Sequence, residues 1–214
     1  MTVYSPPSVD GQDTLWTLRL RGYFLKEIEL DIFEAIYNRQ SIGKVKPDPI
    51  PRDLIEKLLA AAVQAPNHHK VRPWRFVVLT GAARERLASA MADALRKRKP
   101  DADDESLARE HRKPLRSPVL IAVGVDKPNI PKAIEIENVC AAAAAVQNML
   151  LAAHALGLGA MWRTGDATYD PHVKSFLGFE SEQHLIGFIY VGYPESEPAS
   201  PSRPSYEDRT VWME

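Results

Sequence analysis

Three stretches of the chain gather side chains able to bind a ligand or take part in chemistry. Arg39-Gln40-Ser41 places a guanidinium two positions from a hydroxyl, a pairing that suits a phosphate. Ala65-Pro66-Asn67-His68-His69-Lys70-Val71-Arg72-Pro73-Trp74 is a turn dense in polar donors that runs directly into an indole. Gly159-Ala160-Met161-Trp162-Arg163-Thr164-Gly165 sets an aromatic, a guanidinium and a hydroxyl beside a glycine, a set able to cover an aromatic ring and donate to its edge. Each stretch alone is ordinary, since Arg and Ser at a helix end are common on surfaces. The order in which they follow one another is what gives them weight.

Other chemistries find no support. There is no phosphate loop ending in Gly-Lys-Ser/Thr, no His-Glu-x-x-His and no Gly-x-Ser-x-Gly elbow. Gly157-Leu158-Gly159 begins like a dinucleotide fingerprint, but position 162 is Trp and the expected element order is reversed, so it reads as a helix C-cap with a tight turn. His68-His69 is a poor metal site, because adjacent side chains point apart and no partner stands at ligand spacing. His68 is better placed as a polar contact in a binding loop, and no metal is expected. Arg96 to Lys99, followed at once by Asp101, Asp103, Asp104 and Glu105, reads as a solvated helix end with a self-compensating loop.

The elements that must hold these groups are legible from periodicity. Ile32, Phe33, Ile36 and Tyr37 repeat at helical spacing, as do Leu54, Ile55, Leu58, Leu59 and Ala62, and Pro66 closes the second helix. Strands are expected at 75–80, 119–125, 160–162 and 185–191, and helices at 84–99, 137–156 and 172–177. Two helices precede the first strand, so the fold class is α+β rather than doubly wound. The 214 residues fit one domain, with 27 basic against 28 acidic residues, a net charge of −1. That balance removes the basic excess of a nucleic-acid binder. The single Cys140 excludes an intrachain disulfide. The longest strictly apolar run, 139–146, is far short of the roughly 18 residues of a membrane span. Residues 1–14 read as a flexible lead-in and Leu15 to Leu25 as a more ordered stretch. A soluble, cytoplasmic protein without membrane or nucleic-acid partners is expected.

The ordered set of motifs resembles the FMN-dependent nitroreductases, in particular their small bacterial NAD(P)H branch. Arg39-Gln40-Ser41 matches Arg-x-Ser after the opening helix. Ala65-Pro66 through Pro73-Trp74 matches Ala-Pro, a polar turn and Pro-Trp. Leu156-Gly157-Leu158-Gly159 ends the long helix, Trp162-Arg163-Thr164-Gly165 matches Trp-Arg-Ser/Thr-Gly, and Gly192-Tyr193-Pro194 matches Gly-x-Pro after a strand. The match covers about Leu30 to Pro194.

The resemblance implies a three-layer sandwich, a central mixed sheet flanked by helices, assembled as an intertwined homodimer with FMN at the interface. Residues 1–28 would be an N-terminal extension to an FMN-binding domain over 29–214. Arg39 and Ser41 would hold the FMN phosphate, with Gln40 on the ring or ribityl chain. Gln64 and His68 would line the pocket of the partner subunit. Trp162, Arg163 and Thr164 would lie along the flavin. Ala152, Ala153, His154, Ala155, Leu156 and Gly157 would meet the nicotinamide nucleotide. The implied activity is ping-pong hydride transfer from NADH or NADPH through FMN to a nitroaromatic, quinone or similar small-molecule electron acceptor, without a catalytic side chain. A reductive dehalogenase, a flavin-fragmenting enzyme and a non-catalytic flavin-binding protein are the other readings of the same fold. Many members carry a basic residue two positions after the Ser. Here that position is Gly43, and Lys44 either replaces it or is merely solvated.

Overall fold

The computed structural model describes residues 31–214, so the 1–28 extension and the stretch from Leu15 to Leu25 lie outside the described residues. Two helices, α1 (Ile32–Asn38) and α2 (Arg52–Ala62), lead into β1 (Trp74–Thr80). Then follow α3 (Ala82–Arg98), α4 (Asp104–Arg112), β2 (Val119–Val125), α5 (Glu135–Ala155), β3 (Gly159–Arg163), α6 (Asp166–Tyr169), α7 (Pro171–Phe176) and β4 (His184–Gly192).

β2 is buried at every position because it is an inner strand covered on both faces. Val119, Ile121, Val123 and Val125 point into a core shared with α2 and α5, whereas Leu120 and Ala122 point into a second core with α3 and α7. That alternation is the physical content of the three-layer sandwich.

The sheet order is β1-β2-β4-β3, and every pair among the described residues is antiparallel. The expected mixed sheet is therefore corrected to an antiparallel one. β2 and β3 do run in the same direction, joined by the α5 crossover, but β4 enters the slot between them and pairs antiparallel with both.

α5 is long and apolar enough to cross a membrane by length and composition, with a mean hydropathy of 1.3 over its best window. Ala141, Ala142, Ala145, Val146, Met149 and Ala153 instead pack into the first core, so it is a core helix. It ends in a Schellman motif: Leu158 N–H bonds to Ala153 O (2.8 Å) and Gly157 N–H to His154 O (3.0 Å), with Gly157 at φ +70°. This turn launches β3 directly from the helix end.

α4 departs from the expected loop. Asp103 caps it by accepting from Ser106 N–H (2.8 Å), Asp104 and Glu105 lie in the first turn, and Arg109, His111 and Arg112 in the last. The acidic residues that follow the basic run 96–99 therefore open a helix, and the acidic start and basic end of α4 match its dipole.

Candidate functional site

Asp31 caps α1 by accepting from Phe33 N–H (2.8 Å). After Asn38 the backbone turns extended at Arg39, and residues 42–46 run beside β3 and the end of β4. Ile42 N–H bonds to Ala160 O (3.0 Å), and Lys46 N–H to Tyr193 O (2.7 Å). This track fixes Arg39-Gln40-Ser41 near the C-terminal end of α5. Gln40, His154 and Gly157 there line a cavity of about 180 Å³ with Ile42, Ala160 and Pro198.

The segment after β4 closes over the same place. Gln40 Nε2 donates to Ala199 O (2.5 Å), and Arg203 Nη2 to Arg39 O (3.1 Å). Burial, and then the neighbouring Arg203, push the Arg39 guanidinium below its usual range. Burial and then Arg39 likewise hold His154 below 6.5, with Glu34 opposing. Among the described residues no ion pair involves Arg39 or Arg203. Two guanidinia thus lie close together, with the exposed Ser41 two positions after Arg39. Arg203 was not legible in the sequence, where it is one more arginine in a proline-rich tail.

Along β3 the side chains alternate. Trp162 faces the α5 side and its Nε1 donates to Ile186 O (2.9 Å). Arg163 faces the opposite side, where its guanidinium lies 5.5 Å from the ring centroid of Tyr190. A Cβ on Gly43 would stand 3.1 Å from Arg163 Nη2. Arg163, rather than the exposed Lys44, thus occupies the space beside Gly43. Thr164 and Gly165 are exposed at the strand end, and Gly165 O accepts from Thr168 N (2.9 Å) and Oγ1 (2.7 Å).

Gln64 and His68 sit elsewhere. Gln64 is exposed at the end of α2, donating to Ala60 O (3.3 Å). His68 lies 3.9 Å from Glu137, in the first turn of α5. Glu137 and His154 are far apart on that helix, about 25 Å at 1.5 Å per residue. One chain therefore does not bring His68 to Arg39, whereas Gln64 follows Ala61, whose carbonyl accepts from Asn148 Nδ2 (3.2 Å) farther along α5. The polar turn itself is strained: His69, Lys70 and Arg72 have φ of 52°, 56° and 50°. Asn67 clasps it, accepting from Arg72 N–H (2.9 Å) and donating to Ala65 O (3.4 Å). No group of three potential metal ligands occurs among the described residues.

In the 152–157 stretch, Ala153 is fully buried and Ala152 and Leu156 pack on the core. His154, Ala155 and Gly157 are the residues that reach the surface or the cavity.

A family model described as the Nitroreductase family matches residues 36–193. The chain is 29% identical over 166 residues to the Escherichia coli (strain K12) protein named "Putative NAD(P)H nitroreductase YdjA", covering 78% of this chain and 90% of that one. The crystal structure of a nitroreductase-like family protein from Bacillus cereus superposes with a TM-score of 0.74 at 26% identity, covering 86% of this chain and 96% of the other. A nitroreductase-type structure from Desulfovibrio desulfuricans, solved in complex with FMN, does so with a TM-score of 0.65 at 27% identity, covering 85% and 95%. With the Arg-x-Ser turn, the Pro-Trp turn and the Trp-Arg-Thr-Gly strand all inside the matched span, the chain belongs to the nitroreductase family, a family of oxidoreductases.

Proposed function

We propose that the protein is an FMN-dependent NAD(P)H oxidoreductase that reduces a nitroaromatic, quinone or similar acceptor. The observation that carries this reading is the Arg39–Arg203 pair, two guanidinia at one end of a track that leads along β3 to Trp162-Arg163-Thr164-Gly165. A molecule with a phosphate at one end and a ring at the other fits that sequence of groups. FMN is such a molecule, and the Desulfovibrio desulfuricans relative was solved with it.

In this reading Arg39, Arg203 and Ser41 bind the phosphate, and Gln40 contacts the chain beyond it. Trp162 walls the ring, and backbone donors of Thr164 and Gly165 serve the ring edge. Arg163 sets a positive charge beside the ring, where reduction adds negative charge. The bound flavin supplies the redox chemistry, taking hydride from NAD(P)H and returning electrons to the acceptor in a ping-pong cycle. No side-chain nucleophile is required. Contact with the nicotinamide nucleotide falls to His154, Ala155 and Gly157, because the other residues of that stretch face the core.

The active unit in this reading is a cytoplasmic homodimer of 29–214 domains, each preceded by the 1–28 extension. Two observations support the dimer. His68 lies about 25 Å along α5 from the Arg39 end, so it would meet the same flavin more readily from the partner subunit. In addition α1 leaves Ile32, Phe33, Ile36 and Tyr37 between 46% and 66% exposed, an apolar row left open among the described residues.

The test is spectroscopic. Purified protein should be yellow, should bleach anaerobically with NADH or NADPH, and should recover colour when a nitroaromatic or quinone is added. A colourless protein that takes up no FMN sinks the proposal.

A further inference from the structure

On the face of the sheet away from α5, a second cavity of about 190 Å³ opens beside the ring end of the site. Arg163, Tyr190, Arg116, Lys113, Glu110 and Thr164 line it. Strand pairing explains why Arg163 and Tyr190 meet there. Arg163 stands opposite Phe188, and Phe188 and Tyr190 both face the α3 and α7 core.

The charges in this cavity do not balance. Glu110 is its one acid, and Lys113 already engages it (2.5 Å). Asp166, which follows the lining residue Gly165 in sequence, is held by Arg98 at 3.3 Å. That leaves Arg163 and Arg116, neither of which has an ion-pair partner among the described residues. The Tyr190 hydroxyl also has no hydrogen-bond partner among them, and burial pushes its pKa up to about 12, so it is a neutral donor at physiological pH. Two guanidinia without an ionic partner and a phenol donor around one void together offer an anion charge-assisted hydrogen bonds.

Arg116 is rigidly based as well. Its turn carries the buried Pro114, and Ser117 is pinned from both sides. Ser117 Oγ donates to Val119 O (2.7 Å), and Arg84 Nη1 donates to Ser117 O (2.6 Å). The volume lies below the ~300–1,000 Å³ of sites for drug-sized ligands, so the cavity admits an oxyanion and a short stem rather than a nucleotide.

We propose that this cavity is an anion subsite which holds a carboxylate or phosphate group carried by a substrate while its reacting end lies beside Thr164 and Gly165. The proposal rests on the flavin reading for its catalytic consequence, but not for binding itself. The carboxylate source is an anionic acceptor and the phosphate source is the nicotinamide dinucleotide.

The experiment compares wild type with Arg116→Ala and Tyr190→Phe. It measures kcat/KM for 4-nitrobenzoate against its methyl ester and for NADPH against NADH. Calorimetric binding of benzoate and of inorganic phosphate is measured without turnover. Wild type should favour 4-nitrobenzoate over the ester, and Arg116→Ala should lose about tenfold or more on the charged compound alone. A loss confined to NADPH and to phosphate binding supports the subsite with the dinucleotide as its source. The proposal is overturned if charged and neutral substrates respond alike and both anions bind wild type and Arg116→Ala equally. Because calorimetry needs no flavin turnover, failure of the oxidoreductase reading would be seen separately.

Discussion

The Arg203 guanidinium donates to the backbone carbonyl of Arg39 at 3.1 Å, across 164 positions of sequence. The contact places two like charges together at the start of the track beside β3, an arrangement that favours an anion between or beside them. Arg203→Ala and Arg39→Ala are each expected to weaken FMN binding by about tenfold to a hundredfold, the scale of a lost charge-assisted hydrogen bond. The double variant should fall short of the product of the two effects, because both act on one group. Flavin fluorescence titration reads all three. Unchanged affinity in Arg203→Ala would remove it from the phosphate site.

His154 yields a pH prediction. Its folded-state pKa is held below 6.5, chiefly by burial and then by Arg39. As pH drops through 6.5 the unfolded chain takes up a proton that the folded chain resists, so stability falls until the folded form titrates too. Melting temperatures between pH 7.5 and 5 should show that decline, and His154→Gln should flatten it. An anion next to Arg39 offsets the repulsion, so phosphate or FMN should reduce the slope in wild type. Identical slopes in wild type and variant would mean that His154 contributes nothing here.

Gly187 bears on the position of Trp162. Its φ is +148°, and an added Cβ would come 2.2 Å from Trp162 Nε1 and 2.8 Å from Arg163 O. The second contact is backbone and cannot yield. Gly187→Ala must therefore displace the indole, break its bond to Ile186 O and strain the strand, at a cost of about 2 kcal/mol or more. Urea denaturation measures the loss, and flavin content should fall with it. A variant as stable as wild type would show that β3 can shift freely.

Mixed dimers test the shared site. Arg39→Ala subunits and Gln64→Ala/His68→Ala subunits should each bind FMN poorly as pure dimers. In a mixed dimer both defects fall on one of the two sites and the other is intact. Tagged heterodimers should thus hold one tight FMN per dimer. Poor binding at both sites would place all these residues in one chain's pocket, contrary to the separation along α5.

Much of this architecture was legible in the sequence. The apolar run at 119–125, short, rich in valine and preceded by Pro118, reads as a strand covered on both faces, and the observed bounds agree with the expectation. The Gly157 turn declared itself because a positive φ at a helix end selects glycine. α4 escaped because it is mostly charged, and a helix that buries little more than Leu107 and Glu110 leaves almost no apolar period to read. The groups with phosphate and ring chemistry were likewise visible, since side-chain type limits what each can bind.

What the tertiary structure alone decided was which of them meet. Local periodicity carries no information on strand order, so the entry of β4 between β2 and β3 was invisible, and with it the antiparallel sheet. Strand alternation sends Trp162 and Arg163 to opposite faces, and the pairing of β3 with β4 lays Arg163 against Tyr190, next to Gly43. Arg203 reaches Arg39 through the return of the C-terminal segment, and His68 is carried away by the length of α5. The sequence determined the chemistry on offer, because that is a property of each residue. Only long-range packing determined which charges share a void and which stand about 25 Å apart.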